Sequence, residues 1–378
     1  MRIGVDTREL TGRATGVGRY LGELLAAWAD PASGAALRHD FVLYCPAPLP
    51  AAVASRIERL RARVRVLPGG GGTWGEQTTL PSAAARDGLD LFFAPAYTAP
   101  LRLACPVALT IHDLSYFAHP EWFAAREGLR RRVVTKLAAR RAAAVLTVSE
   151  FSRGEIARYL GIPAARIHAI PHGAGVPAFF RARSSADGTR GEAGAEPLVL
   201  FVGSILNRRR LPDLIAAFRL VLASVPRARL DIVGENRTYP RQDLDAICRA
   251  SGAGDRIRVR SYVPDAELAD AYRRASAFAF LSEYEGFGLP PLEALARGVP
   301  PVLLDTPVAR EVCGRAARYV APGDLPATAA ALVDLLTSPA ARDGVLREAG
   351  GVLSRYSWPE AARETLAALE SAGRRAHG

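Results

Sequence analysis

Short apolar runs alternate with longer amphipathic segments through the first half of this 378-residue chain. The runs have the length of buried strands. They cover residues 3–5, 41–44, 64–67, 91–93, 107–111 and 144–148. Alanine- and arginine-rich segments with helical spacing, such as residues 20–29, lie between them. Because near-continuous apolar strands separated by helices are typical of parallel sheets, the pattern predicts an α/β fold with helices on both faces of the sheet.

The alternation is interrupted once. Residues 181–197 are rich in serine, glycine and charged side chains without an apolar face, which indicates a linker. Strand-like runs return at residues 198–202, 230–233, 278–281 and 302–304. We therefore expect two Rossmann-like domains over residues 1–180 and 198–356, followed by a terminal helix within residues 357–378. Since ligands of such sheets bind at the carboxyl ends of the strands, we expect the substrates in a cleft between the domains.

Composition adds a charge constraint. The formal net charge is +11, which favours an anionic partner such as nucleic acid, an acidic membrane or a phosphorylated ligand. No apolar run reaches the roughly 18 residues that a membrane-spanning helix requires. The N-terminus lacks the features of a secretory signal, so we expect a cytoplasmic protein. Because the four cysteines and six histidines form no ligand pattern, we expect neither a metal site nor a cofactor.

One polar stretch follows the strand-like run that ends at Leu281. It contains Glu285-Gly286-Phe287-Gly288-Leu289, then two prolines and a helical segment over residues 292–297. Prolines that open a helix, preceded by glycine-rich backbone amides, make a site for a phosphate group. Glu285 in the loop and Glu293 in the first turn of the helix are placed to accept hydrogen bonds from sugar or ribose hydroxyls. The stretch therefore predicts a sugar-nucleotide site.

A second polar stretch follows the run at residues 198–202. Arg208, Arg209 and Arg210 lie at the carboxyl end of that strand, where guanidinium groups bind a diphosphate through paired hydrogen bonds. When a bond between a sugar and a diphosphate breaks, negative charge develops on the diphosphate. Fixed cations lower that barrier without a metal ion, so the stretch predicts stabilisation of a leaving group.

Several segments together resemble glycosyltransferase family 4, whose members are retaining, sugar-nucleotide-dependent enzymes with the GT-B fold. The segment from Glu285 to Glu293 resembles the family signature. The segment from Asp6 to Tyr20, with Gly16-Val17-Gly18-Arg19-Tyr20, resembles its N-terminal glycine loop. Residues 110–123, 147–152 and 170–173 resemble its histidine segment and the strand ends that close the first domain. His172 replaces a usual asparagine, and Arg209 replaces a more frequent lysine. The likeness covers nearly the whole chain and is to bacterial mannosyl- and rhamnosyltransferases.

The resemblance implies two domains that face each other across a cleft, an N-terminal one for the acceptor and a C-terminal one for the donor nucleotide. It also implies that the terminal helix packs back on the N-terminal domain. The implied catalytic residues are His112 and Glu285 at the donor sugar, and Arg208 and Arg209 at the diphosphate. The implied donor contacts are Gly16, Gly286, Phe287, Gly288 and Leu289, with Glu293 at the ribose and Tyr262 and Val263 near the base.

A basic segment and an aromatic one bear on the acceptor. The helix predicted from Arg126 to Arg141 carries seven basic residues and the single acid Glu127. An apolar stripe recurs every four residues in it, at Leu129, Val133 and Leu137. The helix either packs through this stripe as an ordinary surface helix or contacts anionic lipid headgroups, and the pattern leaves both open. Trp74, with Glu76 beside it, is interpreted as a contact for an acceptor sugar.

The sequence thus predicts a metal-independent transferase that moves a hexose from a nucleotide-diphosphate sugar, with GDP-mannose favoured, to a glycan or lipid-linked acceptor. The expected setting is cell-surface polysaccharide assembly at the inner face of the membrane. A sugar-nucleotide epimerase of similar fold is one alternative, and a basic nucleic-acid-binding protein is another. The glutamates and arginines favour transfer, and because no nucleic-acid motif accompanies the charge we expect no nucleic-acid partner.

Overall fold

The computed structural model of the protein describes residues 1–12, 15–69, 72–175 and 196–375. The chain divides into two compact units. Unit 1 comprises Met1–Pro120, Ala125–Gly173 and Tyr356–Gly378, and unit 2 comprises Glu121–Ala124 and Ala174–Arg355. The expected linker, residues 181–197, lies outside the described residues up to position 195.

Unit 1 contains a parallel sheet with the strand order β3-β2-β1-β4-β5-β6-β7. Its strands are β1 (Arg2–Asp6), β2 (Asp40–Cys45), β3 (Arg63–Val66), β4 (Leu91–Ala94), β5 (Val107–Thr110), β6 (Ala144–Thr147) and β7 (Ile167–Ala169). Val5 pairs with Leu43 of β2 and with Phe93 of β4. Every residue of β4, β5 and β6 is buried, as expected for central strands of a parallel sheet covered on both faces.

The first helices of the chain belong to unit 1. They are α1 (Gly16–Ala29), α2 (Ala35–Arg38), α3 (Ala51–Ile57), α4 (Gly72–Gln77), α5 (Thr79–Asp87), α6 (Ser115–Ala118), α7 (Ala125–Arg141) and α8 (Glu150–Leu160). Thr15 caps α1, because its hydroxyl accepts a hydrogen bond from the amide of Gly18. Leu21, Leu24 and Leu25 of α1 are buried at the spacing of a single helical face.

Unit 2 contains a second parallel sheet, with the order β10-β9-β8-β11-β12-β13. Its strands are β8 (Leu198–Val202), β9 (Arg229–Val233), β10 (Ile257–Arg260), β11 (Ala275–Phe280), β12 (Pro301–Leu304) and β13 (Arg318–Val320). Its helices are α9 (Leu211–Ser224), α10 (Leu244–Ala250), α11 (Asp265–Arg274), α12 (Leu289–Ala296), α13 (Pro307–Cys313), α14 (Leu325–Thr337) and α15 (Pro339–Leu353). Because β8 pairs with β11, the loops that follow these two strands are neighbours.

The last helix, α16 (Trp358–Arg375), packs on unit 1. The indole nitrogen of Trp28 donates a hydrogen bond of 2.9 Å to the carbonyl of Ala362. His39 Nε2 lies 2.9 Å from Glu370 Oε1. Leu369 is fully buried in the core of unit 1. These contacts confirm the terminal helix that the sequence predicts to return to the N-terminal domain.

The two parallel sheets confirm the predicted α/β fold of two Rossmann-like domains. Each apolar run of the sequence overlaps one of the strands. Among the described residues, no helix is long and apolar enough to cross a membrane.

Candidate functional site

Two loops of unit 2 meet at the carboxyl edge of its sheet. The first, here called the arginine turn, comprises residues 207–210 after β8, and the second, the acidic loop, comprises residues 282–288 after β11. The amide of Glu283 donates a hydrogen bond of 2.9 Å to the carbonyl of Arg208, so the loops are joined through their backbones. The pairing of β8 with β11 therefore brings the predicted arginines to the predicted glutamate.

Glu285 is the acceptor at the centre of this contact. Its Oε1 lies 2.9 Å from Arg209 Nη1 and 3.7 Å from Arg208 Nε. The hydroxyl of Ser282 donates to the same oxygen. Arg209 is buried, and its guanidinium carbon lies 4.1 Å from the centre of the Phe280 ring. Because a buried cation held between a carboxylate and an aromatic face has little freedom to move, it suits the electrostatic stabilisation of an anion.

The acidic loop leads directly into α12. Gly288 is the N-cap residue, with a left-handed φ of 98°, a conformation that glycine adopts without a steric penalty. The helix begins at Leu289, earlier than its apolar pattern indicates, because proline is well tolerated in the first turn, where backbone amides have no intrahelical partner. The placement of Glu293 in the first turn is therefore wrong: it is the fifth residue of the helix and lies in the second turn.

Glu293 has a basic neighbour at the C-cap of its own helix. Arg297 Nη1 lies 3.9 Å from Glu293 Oε2 and donates a hydrogen bond of 3.0 Å to the Glu293 carbonyl. The Arg297 guanidinium also stacks on the ring of Tyr272, at 4.3 Å. Burial lowers the pKa of Arg297. The carboxylate of Glu293 is thus positioned on a rigid element, one turn beyond the amides that open α12.

A shallow pocket lies beside the acidic loop. Residues of β12 and α13, including Leu303 and Val312, give it a mostly apolar lining, and Ser282, Glu285 and Thr306 are among its polar members. Neither β12 nor α13 was predicted from the sequence to form part of a site. Within the described ranges, no group of three or more histidine, cysteine, aspartate or glutamate side chains is placed to hold a metal ion.

The two residues expected near the base follow β10. Tyr262 is 76% exposed, whereas Val263 is buried. They lie at the same edge of the sheet as the arginine turn, but β9 separates β10 from β8. The structure therefore places Tyr262 and Val263 in the loop after β10, two strands from the arginine turn.

In unit 1, His112 follows β5 and is buried among aromatic rings. Its ring centre lies 4.9 Å from that of Tyr20, 5.5 Å from that of Tyr97 and 5.7 Å from that of His172. His112 Nε2 lies 2.8 Å from the carbonyl oxygen of Pro95. Since a carbonyl oxygen only accepts hydrogen bonds, Nε2 carries the proton.

Burial keeps this cluster neutral. It lowers the pKa of His112 to about 4, although the bond to Pro95 and the charge of Asp113 act in the opposite direction. Burial also lowers the pKa of His172 well below its ordinary value, and the nearby His112 and Arg19 add to that shift. At neutral pH the His112 ring is therefore uncharged, and Nδ1 is its hydrogen-bond acceptor.

The N-terminal glycines have different surroundings. Gly16 opens α1, and a Cβ atom added there would meet none of the described residues within 4 Å. A Cβ atom on Gly18 would lie 2.5 Å from the carbonyl oxygen of Glu9. Gly18 is therefore required by close packing, a cause that the sequence does not distinguish from a role in binding.

The two candidate acceptor residues, Trp74 and Glu76, both lie in α4 but differ in solvent exposure. Trp74 is 81% exposed, whereas Glu76 is buried. Arg8 Nη1 lies 3.4 Å from Glu76 Oε2, and Arg8 Nη2 lies 2.7 Å from Asp6 Oδ2. Burial raises the pKa of Glu76 against the effect of Arg8. Asp6 and Arg8 belong to the segment that resembles the N-terminal glycine loop, but no role was predicted for either, although their position at the end of β1, at the carboxyl edge of the sheet, was the available signal.

Helix α7 packs on unit 1 through small residues rather than through its apolar stripe. Its buried residues are Gly128, Thr135, Ala138 and Ala139. The stripe residues Leu129, Val133 and Leu137 are 57%, 48% and 38% exposed. Of the two alternatives left open by the sequence, packing through this stripe is therefore wrong, because the small side chains allow closer contact with the domain and turn the larger ones toward solvent.

Comparisons with known proteins match both units. The family model described as Glycosyltransferase Family 4 matches residues 14–175, and the model described as Glycosyl transferases group 1 matches residues 185–349. The chain is 29% identical over 295 residues to O-antigen chain mannosyltransferase B of Escherichia coli, an alignment that covers 76% of each protein. It is 33% identical over 169 residues to the GDP-mannose:cellobiosyl-diphosphopolyprenol alpha-mannosyltransferase of Komagataeibacter xylinus, covering 44% of this chain and 43% of that protein.

Solved structures agree in fold. The crystal structure of Anabaena Alr3699/HepE in complex with UDP and glucose superposes with a TM-score of 0.72 at 19% identity, covering 98% of this chain and 99% of that one. WaaG, a glycosyltransferase involved in lipopolysaccharide biosynthesis, superposes with a TM-score of 0.69 at 15% identity, covering 97% of this chain and 99% of that one. At these identities the likeness concerns the two-domain architecture alone.

Proposed function

Because the chain belongs to glycosyltransferase family 4, we propose that it is a retaining hexosyltransferase that works without a metal ion in cell-surface polysaccharide assembly. In this reaction the bond between the anomeric carbon of the donor sugar and the diphosphate breaks. A new bond forms between that carbon and an acceptor hydroxyl oxygen. The hydroxyl proton leaves to the nucleoside diphosphate or to water.

The observation that carries this proposal is the arrangement around Glu285. Arg208 and Arg209 both face its carboxylate, and the amides of residues 286–289 open α12 directly beside them. A diphosphate that binds to these guanidinium groups and amides develops its negative charge against fixed donors. With Oε1 of its carboxylate already engaged by an arginine and by Ser282, Glu285 is a poor nucleophile and is better suited to position sugar hydroxyls.

The other proposed donor contacts follow from the resemblance. Glu293 accepts hydrogen bonds from the ribose hydroxyls, and Tyr262 and Val263 border the base. His112 accepts a hydrogen bond from a sugar hydroxyl at Nδ1, since its Nε2 proton is committed to Pro95. Gly16 contacts the donor at the start of α1.

GDP-mannose is the donor that we propose to test first. Two relatives are named as mannosyltransferases, and the name of one includes GDP-mannose. That second name also gives a cellobiosyl-diphosphopolyprenol as its acceptor, which supports a glycan on a lipid carrier as the acceptor here. We propose Trp74 and Glu76 as acceptor contacts, Trp74 by stacking on a sugar ring.

A lipid-linked acceptor requires the enzyme at a membrane surface, and α7 supplies a suitable face. Its outward stripe of Leu129, Val133 and Leu137 is flanked by arginines, with Glu127 the single acid of the helix. An amphipathic helix of this kind lies in the interface of an anionic bilayer, where apolar side chains enter the acyl boundary and cations meet phosphate groups. We propose that the protein binds peripherally to the cytoplasmic face of the membrane in this way.

A panel of UDP-, GDP- and dTDP-sugars tests the proposed function. We expect one sugar nucleotide to raise the melting temperature and to be hydrolysed slowly without acceptor, with turnover unchanged by a chelator. Product analysis by NMR should show the anomeric configuration of the donor retained. If none of the sugar nucleotides binds or is hydrolysed, the proposal fails. If turnover depends on an added divalent cation, its metal-free part fails.

A further inference from the structure

Arg210, the last residue of the arginine turn, has an uncommon backbone conformation. Its φ of 48° and ψ of 44° lie in the left-handed region, between the 3-10 turn Asn207–Arg209 and the first residue of α9. Most residues with a Cβ atom are disfavoured there; glycine avoids the strain, and asparagine tolerates this conformation better than most. The chain nevertheless carries one of its largest side chains at this position.

The guanidinium of Arg210 connects two elements. Its Nε lies 2.6 Å from Oδ2 of Asp213 in the first turn of α9, and its Nη2 lies 2.6 Å from the same oxygen. Its Nη1 donates to Oε1 of Glu283 in the acidic loop. The left-handed backbone therefore directs one planar group to a carboxylate on each side, which a lysine ammonium does not reproduce.

Ion pairs thus join the arginine turn to the acidic loop at two carboxylates. The inner pair is Arg209 with Glu285, whose Oε1 also lies 3.7 Å from Arg208 Nε, and the outer pair is Arg210 with Glu283. In the proposed reaction the donor diphosphate takes the place of the Glu285 carboxylate on Arg209, so the inner pair opens during each cycle. The outer pair and the backbone bond from Glu283 to Arg208 remain to hold the loops together.

We propose that Arg210 is a positioning residue, which keeps the arginine turn and the acidic loop in register through the bridge Asp213–Arg210–Glu283 while the inner pair exchanges partners. This inference rests on the proposed function. Arg210 need not touch the substrate; it acts by fixing Arg209 and Glu285. Since a misplacement of about 1 Å is able to cost on the order of 100-fold in rate, a loss of register is measurable in kcat.

Arg210→Gly is the informative variant, because glycine accepts the left-handed backbone and only the bridge is lost. We expect it to fold, to lose on the order of 10- to 100-fold in kcat, and to change KM for the donor much less. Glu283→Gln should give a similar loss, and the double variant should be no worse than Arg210→Gly alone, since both changes remove the same bridge. Arg210→Lys should recover only part of kcat.

Hydrogen exchange of the acidic loop supplies a readout that does not depend on activity. The amides of residues 282–288 should exchange faster in Arg210→Gly and in Glu283→Gln than in the wild type. Arg318→Ala is the matched control, because it breaks an exposed pair with Asp334 of 2.7 Å in the same unit, and it should change neither readout. Unchanged exchange overturns the bridge, and faster exchange with an unchanged kcat overturns its positioning role. A wild type that transfers no sugar contradicts the proposed function instead, while the exchange rates still decide on the bridge.

Discussion

The carboxylate of Glu285 lies 2.9 Å from the guanidinium of Arg209, and the two side chains are only 14% and 8% exposed. A ligand diphosphate and Glu285 are both anions, so in the proposed reaction they compete for the same buried cation. Binding of the donor therefore exchanges one anion for another at Arg209 and releases Glu285 to accept sugar hydroxyls.

Removal of either partner should abolish most turnover. We expect Arg209→Ala and Glu285→Ala each to lower kcat by about 100-fold or more, because one loses a cation at the leaving group and the other loses the sugar contact. Steady-state kinetics with the identified donor checks this, with Arg318→Ala as the control outside the site. Full activity in both variants would refute this placement of the site.

The same pair predicts a pattern in stability. Glu285→Ala removes the carboxylate that faces a buried cation, and a change of this kind costs about 3 kcal/mol in the free energy of unfolding. The double variant Arg209→Ala/Glu285→Ala removes both charges and should be destabilised by less than the sum of the single variants. Denaturant unfolding of the four proteins measures the difference, and strict additivity would show that the two side chains do not interact.

The proposed contact between Glu293 and the ribose predicts how nucleotide affinity depends on this side chain. If its carboxylate accepts the ribose hydroxyls, Glu293→Ala lowers the affinity for the nucleoside diphosphate by about 10- to 100-fold, the range for hydrogen bonds to a charged group. The wild type should also bind the 2′-deoxynucleoside diphosphate more weakly than the ribonucleotide, and the variant should bind both equally. Calorimetry measures the four affinities. Glu348→Ala, at an exposed position of α15, is the control, and equal discrimination in wild type and Glu293→Ala would contradict the assignment.

Much of this site follows from the sequence, and the exceptions have physical causes. The apolar runs of β8 and β11 are enough to place Arg209 and Glu285 at one sheet edge. The sequence shows no such apolar run for β10 (Ile257–Arg260) or β13 (Arg318–Val320). Both are edge strands with few buried apolar residues. The outward stripe of α7 was also undetermined, since spacing defines a helical face without saying which face packs.

Backbone conformation explains the remaining differences. The start of α12 depends on how many residues before Leu292 join the helix with the two prolines. The sequence therefore predicted Glu293 in the first turn, whereas the structure has it in the second. The left-handed φ of Arg210 depends on where the chain must turn from β8 into α9, which residue type alone does not indicate. Both are decided by packing of whole elements and not by local propensity.

The two N-terminal glycines form a matched pair for mutation. Gly18→Ala should destabilise the protein by about 1–3 kcal/mol, because its Cβ atom would lie 2.5 Å from the Glu9 carbonyl oxygen. Gly16→Ala should fold with an unchanged or higher melting temperature, since its Cβ atom meets none of the described residues within 4 Å and alanine favours a helix. In the proposed site it should nevertheless lower donor turnover. Normal turnover in Gly16→Ala would remove Gly16 from the donor site.

Acid should destabilise unit 1 through its buried histidines. The pKa of His112 is lowered to about 4 in the folded protein, below its ordinary value of 6.5, and that of His172 is also lowered. Between pH 4 and 6.5 the unfolded chain therefore binds more protons than the folded chain. The contribution of these histidines to the free energy of unfolding is fully present above about pH 6.5 and falls as the pH decreases toward 4. His172→Asn removes one of the two groups and should make the fall in melting temperature less steep. A variant whose melting temperature changes with pH as steeply as that of the wild type would contradict this cause.

Helix α7 gives a prediction about membrane binding. Replacement of Leu129, Val133 and Leu137 by serine should leave the fold intact, because these side chains face solvent, and should weaken binding to vesicles that contain anionic phospholipid. Glu127→Gln should strengthen binding by about fivefold, the equivalent of roughly 1 kcal/mol for one charge near such a surface, because Glu127 pairs with Arg130 and Arg131. Vesicle co-sedimentation at low and high salt measures both effects.

The control for the serine variant is chosen from β3. Val64 and Val66 are also exposed in unit 1, at 44% and 41%, but they do not belong to a cationic helix. Val64→Ser/Val66→Ser should bind vesicles like the wild type, which separates loss of the α7 stripe from a general loss of apolar surface. If the α7 variant binds as tightly as this control, the apolar stripe does not enter the membrane. If wild-type binding is as tight to zwitterionic vesicles as to anionic ones, the arginines do not select the surface, and the electrostatic part of the proposal is wrong.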